Sequence, residues 1–492
     1  MPYAASLRPS ALIRPCCLIC LLLLALVGSA SGLMAQDRLL VRTISILGNK
    51  RTQNQVILRE LTFHPGDSIA TADLQKLVIR NQQNLYNLGL FNDVSIHPEI
   101  LAGDVYFFLT VQERWYIFPV PRIRVEERNT YDLIDAITRF DLHRFAYGLS
   151  LDIRNLTGRN ETLYLYGQLG FSRRFVADFQ RPAILARQNV DMTAGFNYIH
   201  EKEVIYGTEQ GIVQWGRVEN EPLQRSYTGY LGFRKRFSVY RSLLAEASYR
   251  SYRFADSLYQ FMLQGETARY ITTPTGQEHY PSLVINYAYD RRDVRAYPLS
   301  GIKYQVFFRV AGGPGSLATS RFAKAGATWA QHIPLSHRWN FAYGIHNVFT
   351  LGERLPYFEK NFIGINRREF PYISANLRGY EPYAIDGTFV NLTKFEFKYA
   401  ILPRRIFHLE DIPFKRFQDM PLGIYLSAFG DFGYIADESF NDQDAFLKDK
   451  LLTGYGLGLN VIGIYDFLLR IEYARNHLAG QGVYLHATVP IK

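Results

Sequence analysis

Most of the chain is written in twos. In 451–461, Tyr455, Leu457, Leu459 and Val461 alternate with Gly454, Gly456, Gly458 and Asn460. In 391–399, Phe395, Phe397 and Tyr399 alternate with Lys394, Glu396 and Lys398; in 467–473, Phe467, Leu469, Ile471 and Tyr473 alternate with Arg470 and Glu472. A period of two belongs to a strand whose faces meet different surroundings. The pattern becomes regular at Phe145 and runs to the C-terminus. Residues 38–113 have another texture. Leu39 to Leu47 predicts a strand ending at the Gly48-Asn49 turn. Thr52 and Gln55 read as a capping box opening a helix through Val56, Leu58 and Leu61. Pro65-Gly66-Asp67 breaks that helix. Thr71 caps a second, whose Leu74, Leu77, Val78, Leu85 and Leu88 share one face, with Gly89 near its end. Asp93 to His97 and Val105 to Val111 predict two closing strands. The stretch 114–144, with Pro119 and Pro121, reads as a linker lying against a rim.

Alternation alone does not separate a soluble sandwich from a membrane barrel. The ends and the composition do. Arg8 and Arg14 supply a positive region, Leu12 to Val27 an apolar one, and the small residues Gly28-Ser29-Ala30 follow it; residues 1–35 read as a secretory signal peptide. The 3 cysteines all fall inside it, so the exported part has neither a disulfide framework nor thiolate chemistry. After residue 35 no apolar run reaches the length of a membrane-spanning helix. Yet the chain is 15% aromatic, with 34 Tyr and 34 Phe, while its mean hydropathy is only −0.11. That combination fits strands that show lipid half of their residues. The expected fold is a transmembrane antiparallel β-barrel of about sixteen strands over 145–492, preceded by one small α+β domain over 38–113. With that domain in the periplasm, the long connections 254–281, 351–389 and 434–450 face outward. Those near Gly170, 199–203, 238–240, 333–337 and 462–465 face inward, together with the long basic segment 400–420.

The formal charge of +10 is scattered rather than concentrated, which argues against nucleic acid as a partner. No nucleophile elbow, zinc-helix motif, phosphate loop or paired catalytic carboxylate occurs. The sequence therefore predicts no enzyme, no metal site and no cofactor.

Three candidate sites remain. Arg378-Gly379-Tyr380 lies in the loop 356–388, and Glu396 and Asp431 lie on the polar side of neighbouring strands. An arginine folded into the lumen would bind such carboxylates through paired hydrogen bonds. Gly379 would let the backbone pass close to the wall, with Tyr380 packed on the Gly-lined inner face. The strand Asp93, Val94, Ser95, Ile96 is the expected open edge of the small domain, to which an extended chain could add. The seam is the third. The last strand, Val483 to Ile491, must meet the first, expected near Phe145 to Ile153. Gly148 on one side and Pro490 on the other weaken it, with Val483 and Leu485 in the closing strand.

The small domain resembles a POTRA domain, the periplasmic module of the BamA/TamA family, through Ile46-Leu47-Gly48-Asn49, Pro65-Gly66-Asp67 and Leu85-Tyr86-Asn87-Leu88-Gly89-Leu90-Phe91. Asn155-Leu156-Thr157-Gly158 resembles the family's first hairpin loop, and Asp290-Arg291-Arg292-Asp293 its mid-barrel periplasmic turn. Arg378-Gly379-Tyr380 is similar to the family's sixth-loop signature. Phe429-Gly430-Asp431-Phe432-Gly433 is similar to its Phe-x-Asp-x-Gly strand motif, with Phe429 and Gly433 at its ends. The resemblance implies an outer-membrane protein whose sixth loop threads inward, its arginine pairing with the motif aspartate. It implies a function in inserting β-barrels or translocating polypeptide, with a seam where client strands enter the membrane. The partners so implied are outer-membrane lipids, unfolded barrel or secreted clients, and accessory lipoproteins. A passive channel or a secretion pore dedicated to one partner protein is the alternative.

Overall fold

A computed structural model describes residues 37–125, 145–209, 211–217, 221–258, 273, 276–313, 318–364, 374–409, 418–437 and 447–488. The expected signal segment 1–35, Lys415, Arg416 and Pro490 lie outside these described residues.

The first unit is a four-stranded sheet in the order β2-β1-β4-β3, from β1 (Arg38–Leu47), β2 (Ser68–Ala70), β3 (Phe91–Leu101) and β4 (Asp104–Glu113). Helices α1 (Asn54–Leu58) and α2 (Leu74–Tyr86) belong to the same unit. Its core holds Val41, Ile57, Phe63, Leu85, Leu90, Phe91, Phe107 and Leu109, each worth roughly 1.5–3 kcal/mol of burial. The capping box does not form. Thr52 Oγ1 turns to Glu113 Oε1 (2.6 Å), so α1 begins without a side-chain cap. A tertiary partner has displaced a local one. Strand β3 runs on through Pro98 to Leu101 rather than stopping before the proline.

The second unit is a sixteen-stranded antiparallel sheet. Its first half is β5 (Ile117–Val125), β6 (Phe145–Arg154), β7 (Thr162–Gly170), β8 (Arg173–Leu185), β9 (Val190–Glu201), β12 (Gln224–Arg236), β13 (Arg241–Phe254) and β14 (Gln277–Asp290). The rest is β15 (Gly301–Ala311), β16 (Arg321–Pro334), β17 (Trp339–Arg354), β21 (Phe389–His408), β22 (Asp419–Ala436), β23 (Leu452–Ile462), β24 (Leu468–Asn476) and β25 (Gln481–Thr488). One face is apolar and exposed, as at Phe397, Leu426, Tyr455, Leu457 and Tyr473. The other buries Asp431, Lys398, Asn460 and Glu472. An exposed apolar surface on this scale faces lipid. Aromatic pairs such as Tyr289–Tyr304 (4.8 Å) and Trp339–Tyr399 (4.9 Å) lie where these strands end on the side of the small domain, as an interfacial belt does.

The wall begins earlier than the sequence suggests. The expected linker 114–144 contains the first strand, β5, which pairs with β6 from Ile117↔Ile153 to Val125↔Phe145. The prolines are the reason it reads as a linker, and the register shows why they are tolerated. Arg154 N–H donates to Tyr116 O (2.7 Å), so every second residue from Tyr116 faces β6. Pro119 and Pro121 have the opposite parity, and their missing donors fall on the free edge. The count of sixteen survives because a second segment moves the other way. Glu203–Glu209 (β10) and Ile212–Arg217 (β11) pair only with each other and leave the wall. The turn at Gly170 and the strands β10 and β11 therefore lie on the outer side, and the Asn155–Gly158 turn lies against the small domain. Gly148 is corrected with them. It sits on the second strand, opposite Arg122 and Gln168, where an added Cβ would come 2.4 Å from Gly167 O. It spaces the wall and does not form the seam.

Candidate functional site

The loop 355–388 joins the eleventh and twelfth wall strands and turns into the lumen. It carries its own three-stranded sheet, β18 (Asn361–Ile363), β19 (Ser374–Ala375) and β20 (Ile385–Gly387). Ile363, Leu377, Tyr380 and Ile385 pack on Val390, Leu392 and Ile435 of the wall. Arg378 is 5% exposed and lies against β22–β24. Its Nε and Nη2 donate to Asp431 Oδ2 (2.8 Å) and Oδ1 (2.6 Å), and its backbone N–H donates to Oδ2 (3.3 Å). Nη1 donates to Glu472 Oε1 at 3.4 Å, whereas Glu396 stands 4.0 Å away and is closer to Lys398 Nζ (3.7 Å). The guanidinium lies 3.7 Å from the Phe429 ring centroid.

The remaining motif residues serve as clearance. An added Cβ at Gly433 would sit 2.9 Å from Leu377 Cδ2, and one at Gly454 would sit 1.9 Å from Arg378 O. Gly379 has φ +88, in the left-handed region, and its carbonyl accepts from Asn476 Nδ2 (2.7 Å). The Tyr380 hydroxyl bonds His477 Nδ1. Of the two acids expected beside Arg378, Asp431 is the main partner and Glu396 the most distant of three. Glu472 was missed, although its place on the polar side of 467–473 marked it.

A second attachment had no sequence signal. Glu359, fully buried, precedes β18 and receives hydrogen bonds from Arg250, Tyr280 and Arg309. A third links Lys360 to Asp386 (3.1 Å) and Asp437 (2.5 Å). The loop is thus a strap, tied to β13–β16 at one end and to β22–β24 at the other.

Beneath the barrel the small domain is bolted to the mouth. Arg236 grips Glu60 with two bonds (2.6 and 2.7 Å). Arg80 Nε donates to Tyr240 OH (2.9 Å), and Asn87 Nδ2 to Asp293 O (2.7 Å). Asp466 accepts from Tyr86 OH (2.5 Å), Arg404 Nη2 (2.9 Å) and Arg114 Nη1 (3.1 Å). Burial raises the Glu60 carboxyl, but Arg236 outweighs it and holds the pKa below its ordinary value. For Asp466 burial likewise loses to Arg114 and Arg404. The stretch Leu85 to Phe91 divides its work: Leu85, Leu90 and Phe91 enter the core, while Tyr86 and Asn87 reach the barrel.

Among the described residues, both the small domain's sheet and the wall end on strands with one neighbour. In the small domain's sheet β3, with Asp93, Val94, Ser95 and Ile96, is the outermost strand. In the wall, β5 and β25 have one neighbour each and share no ladder. Asn476 N–H donates to Gly480 O (2.9 Å), which sets Gly482, Tyr484 and His486 toward β24 and turns the main chain of Val483 and Leu485 to the open side. The seam therefore lies between 117–125 and 481–488.

Residues 40–114 match the family model for the POTRA domain, surface antigen variable number repeat. No curated protein matches the chain. Among solved structures it is similar to BamA from Haemophilus ducreyi lacking POTRA domains 1–3, with a TM-score of 0.50 and 13% identity over 92% of this chain and 84% of that one. It is also similar to CdiB from Escherichia coli, with a TM-score of 0.53 and 12% identity over 92% of this chain and 76% of that one. At these identities the likeness is one of fold: a POTRA domain followed by a barrel of the BamA and CdiB type.

Proposed function

We propose that this chain is a non-catalytic outer-membrane protein, its POTRA domain in the periplasm, that passes polypeptide into or across the membrane for a narrow set of partner proteins. One observation carries the reading. An open strand edge, β3, belongs to a domain fastened by four separate turns to the mouth of a barrel whose end strands β5 and β25 share no ladder among the described residues. A free edge binds extended chains through main-chain hydrogen bonds, and a rigid mount delivers what it binds to one place. Pro119 and Pro121 keep the wall edge short of donors, so closure there is weak. The strap is tied to the inner wall at both ends in this state, which fits a gated conduit better than a permanently open channel.

Depletion in the native host tests this. Retention of one or a few secreted proteins in the periplasm, with the rest of the outer-membrane profile intact, is the expected result. A photo-crosslinking residue at Val94 should capture the retained protein. Simultaneous loss of many barrels would replace the reading with general assembly. An unchanged secretome and no adduct at Val94 would leave a plain channel.

A further inference from the structure

The strap's upstream attachment has the composition of a receptor with its ligand in place. Four consecutive wall strands each supply one inward donor to the Glu359 carboxylate. Arg250 of β13 donates from Nη1 to Oε1 (3.0 Å), and Tyr280 of β14 from its hydroxyl to Oε1 (2.7 Å). Arg309 of β15 donates from Nη1 to Oε2 (2.8 Å) and from Nη2 to Oε1 (3.4 Å). Lys324 of β16 has its Nζ 3.4 Å from Oε2 and also bonds the Glu359 carbonyl. Arg250 stands directly opposite Tyr280, and Arg309 directly opposite Lys324. Like charges facing each other across a ladder repel, so this wall is built around an anion. Three cations surround one carboxylate, and Glu246 also lies within electrostatic reach of Arg250 and Arg309.

All the donors belong to the wall, and only the carboxylate belongs to the strap. If the strap moves, the donors keep their register and are left as desolvated cations. Such charges demand a new partner. We propose that Arg250, Tyr280, Arg309 and Lys324 form a carboxylate-binding site on the lumen wall, occupied in cis by Glu359 and, once the strap lifts, by an acidic side chain of the polypeptide in transit. The ligand class follows from the present occupant, since the site already holds a carboxylate with fork geometry. The two occupants compete, so an acidic segment that enters the site favours the lifted strap by linkage. This site deepens the conduit reading and rests on it.

Planar-bilayer recordings of the full-length mature protein test the site without any client. Glu359→Ala should open more often than the wild type and shift the reversal potential under a KCl gradient toward anion selectivity. An oligoglutamate peptide on the periplasmic side should block Glu359→Ala at a concentration about tenfold below that of an oligolysine of equal length. Adding Arg309→Gln and Lys324→Gln should erase that preference. Heat-modifiable mobility confirms folding; should the Ala variant fail it, Glu359→Gln, which keeps shape and a Tyr280 contact, takes its place with the same expectations. Equal block by both peptides, or a glutamate preference that survives loss of Arg309 and Lys324, overturns the proposal. A missing secretion defect in cells would sink the conduit reading and leave these currents unchanged, so the two failures are distinct.

Discussion

Arg378→Gln removes the charge at the strap's downstream end while keeping length and an amide donor. Breaking a buried ion pair costs about 3–5 kcal/mol in general. Here the low end applies, because two of the three abandoned acids keep a second cation nearby. Lys394 Nζ lies 3.8 Å from Asp431, and Lys398 Nζ 3.7 Å from Glu396. Loss of the Phe429 contact takes back about 0.5–2 kcal/mol of that relief, so the expected cost is about 4 kcal/mol. Asp431→Asn leaves Arg378 with Glu472 at 3.4 Å and should cost less, about 2 kcal/mol. The double variant should cost little more than the worse single, a coupling of about 2 kcal/mol. Urea unfolding in lipid vesicles, followed by heat-modifiable mobility, measures all four corners of the cycle. Single variants within about 0.5 kcal/mol of the wild type, or costs that simply add, would show that Arg378 is not held by Asp431.

Gly454→Ala should displace the strap without touching a charge, since its Cβ would meet Arg378 O at 1.9 Å; a loss of about 1–3 kcal/mol is expected in the same assay, and none if the loop backbone lies elsewhere. The POTRA mount should loosen in acid. The pKa of Glu60 is depressed below 4.5 and that of Asp466 below 3.8, so their stabilisation is whole above those values and is lost as pH falls through the lowered ones. Protease cleavage between the POTRA domain and the barrel should therefore rise below about pH 4, and Glu60→Gln should already show part of that rise at pH 7. Pro119→Val with Pro121→Val returns two donors to the free edge of β5. Each bond formed to β25 in lipid should add about 0.5–1.5 kcal/mol and lower crosslinking of clients at the seam. Unchanged stability and crosslinking would mean that this edge does not close on β25.

The two-residue period, the signal segment and the aromatic load determined the barrel, its approximate strand number and its lipid-facing side, because each strand must separate lipid from lumen residue by residue. The POTRA order was legible for the same reason, since its helices carry one apolar face each. Glu396 and Asp431 could be named as candidate partners of Arg378 because the inward register of their strands is written locally, whereas the choice of Asp431 was implied by the resemblance of the two motifs. The tertiary structure alone decided where the wall begins. Pro119 and Pro121 mark an unpaired edge as readily as a linker, and only the parity set by Tyr116 and Arg154 tells them apart. It also decided that 203–217 leaves the wall, that Thr52 abandons its helix for Glu113, and that Glu359 finds four strands it could not have named. These are long-range choices, in which a distant partner competes with a local one, and no nearby residue records which of the two prevails.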